Sequence, residues 1–270
     1  MATALLHTAY LLDPGTSRTW CARGLDQPRY TTLPHAHEGT TDQLVHALAV
    51  SGEVARAQRA AGGLPPDAVS RRLLLLLEGR WEQAERSWAG ALAQDLGRGD
   101  LLNATLNGCW LGQARWLLGR GDEAVEAWRG ALAACVDGPH VPGELMLRAE
   151  LGRYLAEHGD LEAAMEQLAR CEDIIAVGED WRGRAGHVAL ARGAVAAARG
   201  DEQGADTAHR QALGTFALHR LPWWRAEALL AWARWLTAAG RAEAAATRRL
   251  AALDVYAGID APQRWRDRAA

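Results

Sequence analysis

The sequence predicts an all-α solenoid of helical hairpins. Three observations carry that reading: glycines at a fixed period, small residues at matched distances from them, and very few strand signals. Gly79, Gly119, Gly159, Gly200 and Gly240 stand 40, 40, 41 and 40 residues apart. A period of roughly 20 to 50 residues marks an architecture in which each unit is one supersecondary element stacked on its neighbours. Alanine follows each glycine by five residues, at Ala84, Ala124, Ala164, Ala205 and Ala245; Ala91, Ala131, Cys171, Ala212 and Ala252 follow by twelve. Seven residues before the turns stand Gly112, Gly152, Gly193 and Ala233. Small side chains at matched places let two helix axes approach closely, so each unit reads as an antiparallel hairpin. With three isoleucines, one phenylalanine and no alternating apolar run bounded by turns, strands are not expected.

Residues 2 to 12 read as a lone helix stopped by Pro14, without the basic leader of a signal peptide and interrupted by His7. An irregular stretch with three prolines follows, from Asp13 to Thr40. The chain therefore divides into residues 1–40, a helix and a loop able to serve as lid or cap, and residues 41–270, the solenoid. The solenoid opens with a short pair around Gly52 and continues through full pairs turning at the five periodic glycines, about six hairpins in all. Each turn glycine ends a first helix because it adopts the left-handed conformation without steric cost. Asp160 and Asp201 follow two of them, placed to cap the next helix. Breaks between pairs fall at Pro65-Pro66, Gly99-Asp100, residues 137–142, residues 178–180 and Leu221-Pro222, since proline is tolerated at a helix entry but not in its interior. Within the last pair, Leu229, Trp232, Leu236 and Ala239 recur at the spacing of a buried helical face. After Asp260 a stub, residues 261–270, starts another helix and stops.

Composition removes several functions. All thirty basic residues are arginine, so a phosphate-binding loop ending in lysine, a Schiff-base lysine and pyridoxal phosphate attachment are ruled out. A net charge of −3 with arginines interspersed among acids leaves no basic stripe for direct nucleic-acid binding. Apolar runs such as Leu73 to Leu77 are far too short to cross a membrane. Cys21, Cys109, Cys135 and Cys171 lie far apart, as buried thiols in a reducing, cytoplasmic compartment do. His35, His37 and Glu38, with His46 further on, form the compact group of metal-capable residues, but third and fourth ligands for zinc are not evident. No metal or cofactor is expected, and serine elbows, metalloprotease helices and dinucleotide loops are missing.

Twelve tryptophans beside one phenylalanine are unusual. Trp81, Trp88, Trp128, Trp232 and Trp235 sit at helical spacing from the turns, where an aromatic plugs a hairpin or the seam between units. Trp110 keeps different company. Asn103, Asn107, Trp110 and Gln113 stand at intervals of four, three and three on one helix, a stripe able to grip a flat polar ligand by stacking and hydrogen bonding. The alternative is a solvated edge whose amides bond a neighbouring loop.

The phrases His140 through Leu145, Gly178 through Gly186, Leu221 through Ala228 and Gln263 through Trp265 resemble the C-terminal helical-repeat region of large bacterial signal-transduction ATPases. These include LuxR-type regulators related to the maltose activator and regulators fused to adenylate cyclase domains. Residues 40–270 as a whole resemble the tetratricopeptide repeat (TPR) superfamily, with a unit longer than the usual 34 residues. The resemblance implies a right-handed superhelix with a concave groove, a role in signal transduction or transcriptional regulation, and inducer or protein binding. It supplies no catalytic residue. Matching to the repeat places Arg153, His187, Glu227 and Arg234 at groove-facing positions of the later first helices, where they hold a ligand or pair with each other; His187 with Glu227 could also act as acid and base.

The expected function is a noncatalytic binding module, a sensor, adaptor or regulatory repeat domain, holding a peptide, protein partner or small inducer in its groove. The alternative is a small enzyme or small-molecule-sequestering protein with a tryptophan-lined pocket inside the superhelix. An enclosed pocket of roughly 300–1,000 Å³ favours a small molecule, and an open channel favours a protein. The short terminal stub leaves the C-terminal hairpin as a candidate surface for a homodimer or a neighbouring domain.

Overall fold

The computed structural model describes residues 34–136, 141–176, 178 and 181–270. The expected helix at 2–12, Cys21 and the side-chain cluster of His35, His37 and Glu38 lie outside that description. Among the described residues the fold is all-α, with thirteen α-helices, two short 3-10 turns and no strand. In order they are α1 (Pro34–Val50), α2 (Val54–Ala60), α3 (Val69–Leu77), α4 (Trp81–Arg98), α5 (Leu101–Leu117), α6 (Gly121–Val136), α7 (Val141–Glu157), α8 (Leu161–Ile175), α9 (Ala185–Ala198), α10 (Glu202–Leu218), α11 (Pro222–Ala238), α12 (Ala242–Gly258) and α13 (Gln263–Arg266). α1 begins at Pro34, inside the stretch read as irregular, because proline's fixed φ suits the first turn of a helix.

Turn chemistry explains where helices stop. Gly79, Gly119, Gly159, Gly200 and Gly240 all have φ between +74° and +88°, which residues bearing a Cβ rarely adopt. Asp100, Asp160 and Asp201 cap α5, α8 and α10 by accepting from the backbone N–H three residues on.

Consecutive helices pair, α3 with α4, α5 with α6, α7 with α8, α9 with α10 and α11 with α12, and first helices of successive pairs also pack on one another, as α1 does on α3 and α7 on α9. The small residues sit where the pairs touch. Ala84, Ala124, Ala164, Ala205 and Ala245 are fully buried. A Cβ on Gly112 would lie 2.1 Å from Trp128 Nε1, and one on Gly186 would lie 2.5 Å from the Phe216 ring, so glycine there admits the partner's aromatic side chain. Trp81, Trp88, Trp128 and Trp232 are buried as packing residues, while Trp235 is half-buried.

The two ends of the array meet. Trp223 Nε1 on α11 donates to the Ala49 carbonyl of α1 at 3.0 Å. Arg264 Nη1 on α13 donates to the Gly79 carbonyl at 3.0 Å, and its guanidinium engages both oxygens of Glu82. A side chain at Gly52 would collide with Ile259, at 2.4 Å from its Cγ2. One apolar core accordingly contains Val45 and Leu48 of the first helix together with Tyr256, Trp265 and Ala269 of the C-terminus. The end of the C-terminal hairpin, which the sequence leaves open to a second copy, is covered here by the chain's own first helices. No helix among the described residues is long and apolar enough to cross a membrane.

Candidate functional site

Closure of the ends converts the inner surface into a cavity of about 630 Å³, its mouth included. Its walls come from the first helix of each full hairpin and from α13. α3 supplies Leu76 and Leu77, α5 supplies Trp110 and Gln113, α7 supplies Glu150 and Arg153, and α9 supplies His187 and Leu190. α11 contributes Trp223, Trp224, Glu227, Ala231 and Arg234, and Trp265 of α13 completes the lining. On α11 the positions 224, 227, 231 and 234 advance by three, four and three, so one face of that helix reads aromatic, acid, small, base.

The aromatic side of the cavity is built from stacked indoles. Trp110 lies parallel to Trp88 of α4, with centroids 6.1 Å apart and planes at 18°, and faces Trp224 at 6.3 Å. It thus stacks on the preceding pair and meets α11 across the cavity. Trp265 is wedged between Trp81, Trp223 and Tyr256, at 5.5, 5.1 and 6.1 Å.

The polar side is a set of compensated charges. Glu150 accepts from Arg153 Nη2 at 2.6 Å through one oxygen and from His187 Nδ1 at 2.9 Å through the other. Burial alone would raise the Glu150 pKa, but Arg153 and His187 more than offset it and hold it at about 2. Burial likewise opposes the Arg153 charge, and Glu150 and Glu157 raise its pKa despite it. Glu227 binds Arg268 through both oxygens, at 3.0 and 2.6 Å, and accepts from Tyr256 Oη at 2.7 Å. Against the cost of burial these partners keep Glu227 ionised.

Two lining groups stand apart. Arg234 reaches solvent but makes no hydrogen bond or ion pair among the described residues; protein packed around it lowers its pKa by desolvation, despite the nearby carboxylate of Glu157. The half-buried Gln113 amide has no hydrogen-bond partner among them either. Arg153 Nε is buried with its proton unused.

Of the eight residues singled out in the sequence, Trp110, Gln113, Arg153, His187, Glu227 and Arg234 line this one cavity. Asn103 and Asn107 do not. Asn103 is exposed and bonds the capping Asp100 at 2.7 Å. Asn107 is buried against Asp95 and Arg72, away from the cavity. The stripe therefore splits: two of its members face the interior, and two hold helix ends and seams. His187 pairs with Glu150 and not with Glu227, which belongs to Arg268, so the acid–base couple read from the sequence is not assembled.

The sequence reading missed Glu150, Trp223, Trp224 and Trp265. Glu150 stands one turn before Arg153 and Trp224 one turn before Glu227, so the spacing of the residues already chosen would have found both. Trp265 could not be found that way, because only closure between chain ends brings it in. Among the described residues no three metal-capable side chains converge. Cys109, Cys135 and Cys171 are buried and form no disulfide among the described residues; burial pushes Cys109 and Cys171 to about 12.

No protein-family model matches the chain, and no curated protein matches it. Among solved structures it is similar to BtubC (BKLC) from P. vanneervenii, with 17% sequence identity and a TM-score of 0.47 over 92% of this chain and 93% of that one.

Proposed function

We propose that this protein is a noncatalytic sensor or carrier that holds a small molecule in the cavity enclosed by its first helices. The fold that presents the cavity is, on the same proposal, a right-handed TPR-like superhelix with a unit near 40 residues. The observation that carries the reading is closure. α13 lies between the first and last hairpins, where an extended peptide would have to enter an open groove. Small-molecule sites are concave spaces between elements, and this one is walled by side chains from six helices, with its mouth open. Its lining has the composition of such sites too: mostly apolar and aromatic walls with a few fixed polar groups.

Native mass spectrometry of freshly purified protein tests this. The proposal expects a population heavier than the chain by one small molecule, which denaturation releases, and the loss of that population in a variant whose cavity is filled by Ala231→Trp. Co-purification of a protein or peptide in stoichiometric amount, with no small molecule, would contradict it.

A further inference from the structure

The geometry points to an elongated aryl carboxylate as the occupant of this cavity, its ring held by Trp110 and Trp224 and its carboxylate by Arg234. This inference rests on the small-molecule reading above and specifies the ligand's class. It follows from which lining charges are already answered. Glu150 is bonded to Arg153 and His187, and Glu227 to Arg268 and Tyr256. A cationic ligand would therefore have to displace a guanidinium from a bonded carboxylate. Arg234 has no such partner among the described residues, and its guanidinium offers five donors in a plane that fits a carboxylate.

Neighbouring groups reinforce the assignment. The Gln113 amide lines the same cavity without a partner among the described residues, so its N–H donors are open to a ligand oxygen. The surrounding protein already disfavours the Arg234 charge by desolvation, a cost that a bound anion would relieve.

Shape sets the ligand's length. Trp224 and Arg234 are ten residues apart on one face of α11, roughly 15 Å of helix axis. Between them Ala231 leaves the wall low, so a short alkyl spacer can pass from the indoles to the guanidinium. Trp110 and Trp224 already touch, with planes at 51° and centroids at 6.3 Å, so together they form a joined aromatic wall against which a flat ring can lie.

The test is isothermal titration of the full chain with three probes of one shape: 4-(2-naphthyl)butyrate, its primary amide, and the trimethylammonium analogue. The expected result is an acid bound at least tenfold more tightly than the amide, and an ammonium bound most weakly. Arg234→Gln should erase the preference of acid over amide while leaving amide affinity unchanged. Trp224→Leu should weaken acid and amide by the same factor. Equal affinities for acid and amide, or tightest binding of the ammonium, would overturn the carboxylate assignment while leaving small-molecule binding intact. Binding of none of the three would overturn the ligand class, and the small-molecule reading falls with it only where the native mass spectrum is also empty.

Discussion

The indole Nε1 of Trp265 donates to the carbonyl oxygen of Leu76 at 3.3 Å, across 189 residues of chain. Trp81, at the start of α4, donates to the same oxygen at 3.2 Å. One carbonyl near the end of α3 thus ties a tryptophan of the first full hairpin to one of the last segment, and the cavity owes its enclosure to that junction.

Aromatic packing should hold the junction more strongly than charge. Arg264 and Glu82 bond through both carboxylate oxygens, but both side chains are largely in solvent, and exposed pairs contribute at most about 1 kcal/mol. Trp265 is buried, and truncating such a side chain costs about 3–5 kcal/mol. Urea unfolding should place Trp265→Ala several-fold further below the parent protein than Glu82→Gln.

Glycines of two kinds should respond oppositely to alanine. Gly112→Ala drives a methyl group into Trp128 and should cost about 1–3 kcal/mol. Gly90 lies on an exposed face of α4, and a Cβ added there would meet nothing within 4 Å, so Gly90→Ala should stabilise by about 0.5–1 kcal/mol. Chemical denaturation of the two variants checks both signs.

Glu150 is the keystone of the buried charge network. Glu150→Gln leaves Arg153 buried with only Glu157 as an anionic partner and should cost about 3–5 kcal/mol, with recovery in the Glu150→Gln, Arg153→Met double variant. Because the folded pKa of about 2 lies below the unstructured value of 4.5, the stabilisation is complete above pH 4.5 and is lost as pH falls toward 2. Stability measured across that window should fall less steeply in Glu150→Gln than in the parent.

Mild acid should weaken the fold through two histidines. Burial lowers both His46 and His209 from 6.5 to about 4, so the unfolded chain takes up protons first and stability declines as pH drops from 6.5 to 4. The loss is about 3 kcal/mol per histidine. His209 stacks on Trp232, with planes at 10°, so His209→Phe keeps a ring in place and should remove one proton's share of the decline. Urea midpoints at pH 7.5 and 4.5 give the comparison.

The hairpins were legible in the sequence because they are local: a left-handed glycine, a capping aspartate and an alanine five residues on act within one turn and its two helices. The polar wall of the cavity was legible at Arg153, His187, Glu227 and Arg234, since matched places on successive first helices come to face one interior. Asn103 and Asn107 were misread because periodicity gives a face but not which neighbour covers it; Asp100 and Asp95 claim those amides. The closure itself was not legible. It joins Trp265 to Leu76 across 189 residues of chain, and no spacing within a unit encodes a contact between the ends.

Closure is also the feature most directly open to measurement. With Cys21→Ser as background, paired cysteines at Glu82→Cys and Arg264→Cys should react with a short bis-maleimide, since Cys109, Cys135 and Cys171 are buried and burial raises all three thiols, to about 12 at Cys109 and Cys171, so they stay protonated and inert. The expected result is a crosslink within one chain in nearly all of the folded protein, retained on dilution and abolished by urea. Two independent single modifications, or crosslinks formed only between chains, would show ends that do not meet and would leave the cavity without its wall.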